Sequence, residues 1–192
     1  MPISATDSEI LSALLEGKPF GGTALHDRYS RLVRRVIRRL VGGRGDVDDL
    51  VQETFIAAIR NIARVRGPES LRPWLTSVAV FTARDEIKRR ARRPFFHLRS
   101  PEELPEVASP SSSPEEQEAV RAVYAILDEL PPDDRIAFTL RFIEGMDLAG
   151  IAMACRVSLA TIKRRIMRSR RRFDELAIRG GQLSDWIAEE AS

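Results

Sequence analysis

The segment from residue 158 to residue 172 combines short polar side chains with a dense series of arginines. On a helix, short side chains near the N-terminus permit close approach to a DNA groove, and arginine forks can then bond base edges and phosphates. The free N–H groups at such a helix start, next to Ser158, offer a further phosphate contact. The side chains expected to face DNA are Ser158, Ala160, Thr161, Lys163, Arg164, Arg165 and Arg168.

The residues before this segment supply the rest of a helix-turn-helix. Asp147 is placed to cap a short helix, a turn follows at residues 155–157, and Ser158 is placed to cap the second helix. The aliphatic side chains expected to face inward on the second helix are Leu159, Ile162 and Ile166. A basic amphipathic helix can also be an ordinary solvated surface helix. The two caps and the aliphatic spacing favour DNA binding over that alternative.

A second helix, predicted over residues 46–62, has an acidic outer face. Its expected core face consists of Leu50, Val51, Phe55, Ala58, Ile59 and Ile62. Asp46 is placed to cap this helix, and the outer face carries Asp48, Asp49, Gln52, Glu53, Ile56 and Arg60. Carboxylates repel phosphate, so this face suits a protein partner better than DNA. Its residues alone equally allow a solvated face whose acids favour the helix dipole.

A third candidate surface lies on a helix predicted from Ser70, as its cap, to about residue 93. Basic grooves with aromatic or apolar pockets hold single-stranded DNA, and this helix has basic and aromatic residues together. Trp74 is spaced from Leu71 and Val78 as a core residue would be. The candidate DNA contacts here and in the preceding loop are Arg66, Arg72, Phe81, Arg84, Lys88, Arg89 and Arg92.

The positioning elements are predicted to be helices throughout, because no stretch alternates at period two. Further helices are expected after Thr6, whose capping box includes Glu9, over residues 23–41, after Ser113 and over residues 133–144. The acidic string SPEELPEVASPSSS at 100–113 is too poor in apolar residues to fold and is predicted to be a flexible linker. The chain thus divides into an N-terminal domain (1–99), the linker (100–113), a C-terminal domain (114–178) and a tail (179–192).

Composition excludes several functional classes. Cys155 is the only cysteine, and His26 and His97 are the only histidines, so no zinc cluster or internal disulfide is expected. The chain lacks a phosphate-binding glycine loop and a nucleophile–histidine pair, so we expect no catalytic activity, cofactor or small-molecule substrate. The N-terminal residues do not resemble a signal peptide, and no transmembrane-length segment appears. A cytoplasmic location without membrane insertion is expected.

Two sets of motifs together resemble the extracytoplasmic-function (ECF) type of RNA polymerase sigma factor. The C-terminal set is LPP at 130–132, LRF at 140–142, EG at 144–145, IA at 151–152, VS at 157–158 and TIK at 161–163. The N-terminal set is DVDDLVQETF at 46–55, SLRPWL at 70–75, ARD at 83–85 and the basic run at 88–93. The match extends from about Ile10 to Leu176.

The resemblance implies a transcription initiation factor that binds core RNA polymerase through the acidic helix and the C-terminal domain. It assigns the helix predicted over residues 70–93 to the −10 promoter element and the helix-turn-helix to the −35 element. It also implies control by an anti-sigma factor. The alternatives are a stand-alone helix-turn-helix regulator and a helical protein-interaction module whose arginines only keep it in solution.

Three positions depart from the family pattern. Phe81 stands where asparagine is frequent, Arg156 where the helix-turn-helix turn usually has glycine, and Gly150 where glutamate is common. Arg156 must therefore avoid or tolerate a positive φ angle. Cys155 lies at a position that is normally apolar, which favours packing over redox sensing.

Overall fold

The computed structural model describes residues 5–42, 46–92 and 113–180. These residues form eight α-helices and no strand, which confirms the all-α prediction. The helices are α1 (Asp7–Leu15), α2 (Pro19–Val41), α3 (Val47–Arg60), α4 (Leu71–Ala91), α5 (Pro114–Glu129), α6 (Pro132–Phe138), α7 (Leu148–Cys155) and α8 (Leu159–Gly180). The predicted linker, apart from Ser113, and the tail beyond residue 180 lie outside the described residues.

Local capping signals determine where most of these helices begin. Thr6 and Ser113 each form a complete capping box, with Glu9 and Glu116 respectively. Asp46 caps α3 by accepting a hydrogen bond from the amide of Asp49. The predicted cap at Ser70 is wrong, because the backbone of Ser70 is already helical (φ −85°, ψ −11°) and its hydroxyl makes no capping bond. A short 3-10 turn at Pro68–Ser70 precedes α4 instead.

Four further details differ from the sequence prediction. Helix α2 starts at Pro19, four residues earlier than expected, because proline is compatible with the first helical position. Ile59 is 42% exposed, since the residue facing it on α2 is Gly22, which has no side chain to cover it. Leu159 is 43% exposed because it is the first residue of α8, before the helix meets its neighbours. Helix α6 ends at Phe138 and continues as a π-helical turn, Thr139–Ile143.

The N-terminal half of the described chain (residues 5–42 and 46–92) and the C-terminal half (residues 113–180) share a hydrophobic core. Helix α2 packs on α1, α3 and α4, and α4 also packs on α6 and α7. One buried cluster therefore runs from Ile10 in α1 through Leu75 in α4 to Ile151 and Ile162 in the helix-turn-helix. A second cluster, around Leu127, joins α5 to the C-terminal part of α8. No helix in the described ranges is both long and apolar enough to cross a membrane.

Polar contacts join the halves at the end of α2. The Arg135 guanidinium, itself buried, donates from Nε to the carbonyl oxygen of Leu40 at 3.0 Å. The hydroxyl of Tyr124 donates to the carbonyl oxygen of Arg39 at 3.2 Å. Both bonds satisfy carbonyls of the last turn of α2, which have no partner within the helix. The C-terminal half thus acts as part of the cap of α2.

Gly42, which ends α2 in the left-handed conformation (φ +72°), provides a test of this junction. We expect Gly42→Ala to destabilise the protein by more than Gly17→Ala, where φ is +68° but nothing lies within 4 Å of an added Cβ. Each substitution costs about 1–2 kcal/mol of backbone strain. At Gly42 the Cβ would also lie 2.6 Å from Cδ1 of Tyr124. Urea unfolding of both variants measures the difference, and equal losses would contradict the close packing at Tyr124.

Candidate nucleic-acid interface

The helix-turn-helix is built from α7, a three-residue turn and α8. The carboxylate of Asp147 caps α7 through the amide of Gly150 at 2.6 Å. Arg156 closes α7 in the left-handed conformation with φ +52°, so the turn keeps the geometry usually supplied by glycine. Ser158 accepts from the amide of Thr161 at 3.2 Å at the start of α8, as its position predicted.

The N-terminal turns of α8 present most of the candidate DNA contacts to solvent. Ile162 is fully buried and fixes the orientation of the helix. Ser158, Ala160, Lys163 and Arg164 are exposed, and Thr161 is half-buried, with its hydroxyl 2.9 Å from that of Ser158. The described residues include no hydrogen bond or ion pair to the side chain of Lys163 or Arg164. These two cations are therefore available to a ligand.

Arg165 and Arg168, further along α8, are held by two carboxylates of α6. Nη2 of Arg165 donates to Asp133 at 2.7 Å. Arg168 makes a bidentate pair with Asp134, with both bonds at 2.6 Å, and Asp134 is only 2% exposed. The hydrogen bond to Asp134 and its charge raise the pKa of Arg168 further. Sequence reasoning missed both aspartates, because their position after two prolines suggests only a helix start.

The candidate contacts on α4 and in the loop before it occupy different environments. Arg66, Arg72 and Arg92 are exposed, and Lys88 is half-buried. Arg84 makes a bidentate pair with Asp133, and the ring of Phe81 lies under the guanidinium of Arg156, 4.8 Å from its centroid. Two of the three departures from the family pattern are thus in contact with each other. The structure brings Phe81, Arg84 and Arg165 together and leaves the exposed arginines apart from them.

Glu86 organises the basic end of α4. Its carboxylate, 7% exposed, accepts from Nε of Arg89 at 2.7 Å and from Nε of Arg90 at 2.5 Å. Burial would raise the pKa of Glu86, but the hydrogen bonds and charges of the two arginines outweigh it and lower the pKa. Part of the basic run is therefore neutralised within α4, which the spacing of charges at i, i+3 and i+4 could have indicated.

The acidic face of α3 lies on the opposite side of that helix from the core. Asp48, Asp49, Gln52, Glu53 and Ile56 are all exposed. Asp46 is engaged as the cap of α3, and Asp48 forms an ion pair with Arg34 of α2. The side chains of Asp49, Gln52 and Glu53 have no hydrogen bond or ion pair among the described residues. Ile56, 42% exposed, adds an apolar element to this polar surface.

Comparison with known proteins places these surfaces in a family. The model of Sigma-70 region 2 matches residues 25–93, and that of Sigma-70 region 4 matches residues 120–173. The ECF RNA polymerase sigma-E factor of Escherichia coli (strain K12) is 30% identical over 178 residues, which cover 88% of this chain and 93% of that protein. The chain belongs to the ECF family of RNA polymerase sigma factors.

Other relatives agree with this assignment. The sigma-E factor of Haemophilus influenzae is 31% identical over 180 residues, covering 86% of this chain and 92% of the relative. As a member of this family, the chain is a transcription initiation factor that directs RNA polymerase to promoters. A stand-alone helix-turn-helix regulator is not favoured, because the region 2 match over α2–α4 would then have no role.

Solved structures share the fold. CnrH, in complex with the cytosolic domain of CnrY, aligns with a TM-score of 0.58 and 24% identity, covering 88% of this chain and 96% of that one. The sigma factor RpoE of Bartonella quintana, in complex with the anti-sigma factor NepR, aligns with a TM-score of 0.56 and 23% identity, covering 79% of this chain and 96% of that one.

Proposed function

We propose that the exposed acidic face of α3 binds core RNA polymerase. The proposed contact residues are Asp46, Asp48, Asp49, Gln52, Glu53 and Ile56. The support is the exposure of this face together with side chains that make few contacts within the chain, so their hydrogen-bonding capacity is available to a partner. A polar rim around one apolar residue also resembles the mixed composition of protein interfaces.

We propose that α8 reads the −35 element through its N-terminal turns. The exposed side chains from Ser158 to Arg164 support this role, because they extend from a helix whose opposite face is anchored by the buried Ile162. Arg164 is the candidate for a base edge, and Lys163 and the hydroxyl of Ser158 for phosphates. Arg165 and Arg168 would join them on release from Asp133 and Asp134.

The −10 element is assigned to α4 and the preceding loop. Arg66 and Arg72 are exposed near its start, and Lys88, Arg89 and Arg92 lie along its basic end. Phe81 and Arg84 would contribute an aromatic and a cationic contact to separated strands. The boundaries we propose for the two domains remain residues 1–99 and 114–178, with a linker between them and a tail at 179–192.

Regulation by an anti-sigma factor is part of this proposal, since both solved relatives described above are complexes with such partners or with a partner's cytosolic domain. We propose that the factor acts in the cytoplasm and has no catalytic activity of its own. The observation that carries the assignment of surfaces is their separation: exposed carboxylates on α3 and exposed cations at the start of α8 suit two different macromolecules.

Run-off transcription tests the proposal. Purified core polymerase is incubated with upstream DNA from the source organism, with and without the protein. Promoter-specific transcripts are expected only when the protein is present. Absence of transcripts, together with failure to co-elute with core polymerase, would contradict the assignment of the acidic face and of the two DNA surfaces.

A further inference from the structure

One carboxylate ties together cations that the proposed function assigns to different promoter elements. Asp133 in α6 accepts from Nε and Nη2 of Arg84 in α4 at 2.7 and 3.0 Å, and from Nη2 of Arg165 in α8 at 2.7 Å. The arginine side chains are only 26% and 17% exposed. A bidentate carboxylate uses the same geometry that a phosphate would use on an arginine. While Asp133 holds them, the fork of Arg84 is occupied and Nη2 of Arg165 is engaged, so neither arginine can offer a complete fork to DNA.

A second contact closes the same junction. The guanidinium of Arg156, in the turn of the helix-turn-helix, lies over the ring of Phe81 in α4 at 4.8 Å from the centroid. Arg156 holds its positive φ at a cost in backbone strain that glycine would not incur. The cation–π contact with Phe81 offsets part of that strain. The aromatic side chain offered to the −10 element is thereby covered by the −35 domain.

The junction around these contacts is mixed in polarity. The buried apolar cluster that joins α4 to α7 and α8 crosses it. Beside that cluster, a small cavity is lined by Val80, Phe81, Arg84, Asp133, Ile136, Cys155 and Arg165. Interfaces of mixed polarity between domains of one chain generally permit the domains to separate. The electrostatic attraction between Asp133 and the two arginines stabilises this junction, and it weakens when salt or a competing polyanion is present.

We propose that this sigma factor is autoinhibited by Asp133, which holds Arg84 and Arg165 in a closed conformation that excludes promoter DNA. DNA and the closed conformation compete for the same cations, so the free factor binds DNA in proportion to the fraction that is open. Binding to polymerase or DNA would select the open form. The inference rests on the proposed function in one respect, the assignment of these arginines to DNA.

Cys155 provides a reporter that does not depend on DNA. It is the only cysteine in the sequence, it is 8% exposed, and it lines the cavity at the junction. Burial raises the pKa of its thiol to about 11, although nearby Arg165 and Arg84 act in the opposite direction. Disulfide exchange proceeds through the thiolate and requires that the reagent reach the sulfur atom. Separation of α4 from α7 should therefore accelerate the reaction of Cys155 with the disulfide reagent dithiobis(nitrobenzoate).

The first experiment compares Asp133→Asn with Asp174→Asn in the full chain at pH 8. Both variants remove one carboxylate that accepts from an arginine, but the partner of Asp174 is Arg170 on the same helix. We expect Cys155 in Asp133→Asn to react about fivefold faster or more than in the unmodified protein, and Asp174→Asn to react at the unmodified rate. Equal rates in all three proteins would overturn the proposal.

Arg156→Gly distinguishes opening from unfolding. Glycine accepts the positive φ without strain, so this variant should keep or raise its melting temperature while losing the contact with Phe81. We expect the thiol to react faster than in the unmodified protein despite unchanged stability. Faster reaction seen only in variants with a lower melting temperature would show partial unfolding and would overturn the closed conformation.

Binding to a 30-base-pair duplex of mixed sequence tests the exclusion of DNA. Asp133→Asn should bind about threefold or more tightly than Asp174→Asn, which has the same net charge. Equal affinities beside faster thiol reaction would overturn competition with DNA. The proposed function itself is tested separately with Arg164→Ala, whose Cys155 should react at the unmodified rate. If this variant binds both the mixed-sequence duplex and promoter DNA as tightly as the unmodified factor, the assignment of α8 to DNA fails, whatever the outcome for the closed conformation.

Discussion

Replacing Asp49 and Gln52 together by alanine is expected to reduce promoter-dependent transcription by about 30-fold or more. Both side chains are exposed on α3 and make no hydrogen bond or ion pair among the described residues, so their loss should leave the folded protein intact. At a protein interface, the loss of two central polar contacts typically costs about 1–2 kcal/mol each, or more, and every 1.4 kcal/mol is tenfold in affinity. Run-off transcript yield, titrated against factor concentration, measures the effect.

Asp27→Ala is the matched control for this double variant. It also removes one exposed carboxylate, but from α2 and outside the acidic face, so transcript yield should be unchanged. Far-ultraviolet circular dichroism should give the same melting temperature for all three proteins. The role of α3 would be contradicted if the double variant still co-eluted with core polymerase at the unmodified concentration.

Much of the fold could be predicted because it depends on local chemistry. The capping boxes at Thr6 and Ser113 and the caps at Asp46 and Asp147 are determined by residues three positions apart, and all four are present. The helix-turn-helix is predictable for the same reason, since its caps, turn and buried Ile162 lie within one short segment. The sequence left open whether Arg156 would avoid or tolerate a positive φ angle, and the structure shows that it adopts one.

Other features depend on contacts between distant segments, which periodicity cannot indicate. Ile59 and Leu159 fit an apolar helical spacing, but their exposure depends on what lies opposite them. Arg84 and Asp133 are 49 residues apart in sequence, and nothing in either local pattern distinguishes a paired arginine from a free one. The sequence therefore predicts which side chains lie on a basic surface. Only the packed structure shows that Arg165 is bonded to Asp133 while Arg164 makes no hydrogen bond or ion pair among the described residues.

That difference leads to an unequal effect of arginine substitutions along α8. Arg164→Ala is expected to weaken binding to a duplex spanning the −35 element by about 1–3 kcal/mol, the range for one arginine on a base edge. Arg171→Ala, on the same helix and 78% exposed beside Glu175, should change binding less than twofold. Fluorescence anisotropy with the −35 duplex of a promoter mapped by run-off transcription measures both affinities.

A scrambled duplex and a salt titration then decide how Arg164 acts. If it reads a base, Arg164→Ala lowers the ratio of promoter to scrambled affinity, because the scrambled duplex never offered that contact. If it binds phosphate alone, both affinities fall together, and the slope of log affinity against log salt decreases by about 0.9. Arg164 is exposed and makes no hydrogen bond or ion pair among the described residues, so its removal can change affinity only through a contact with DNA. Unchanged affinity for both duplexes would therefore exclude the N-terminal turns of α8 from the −35 interface.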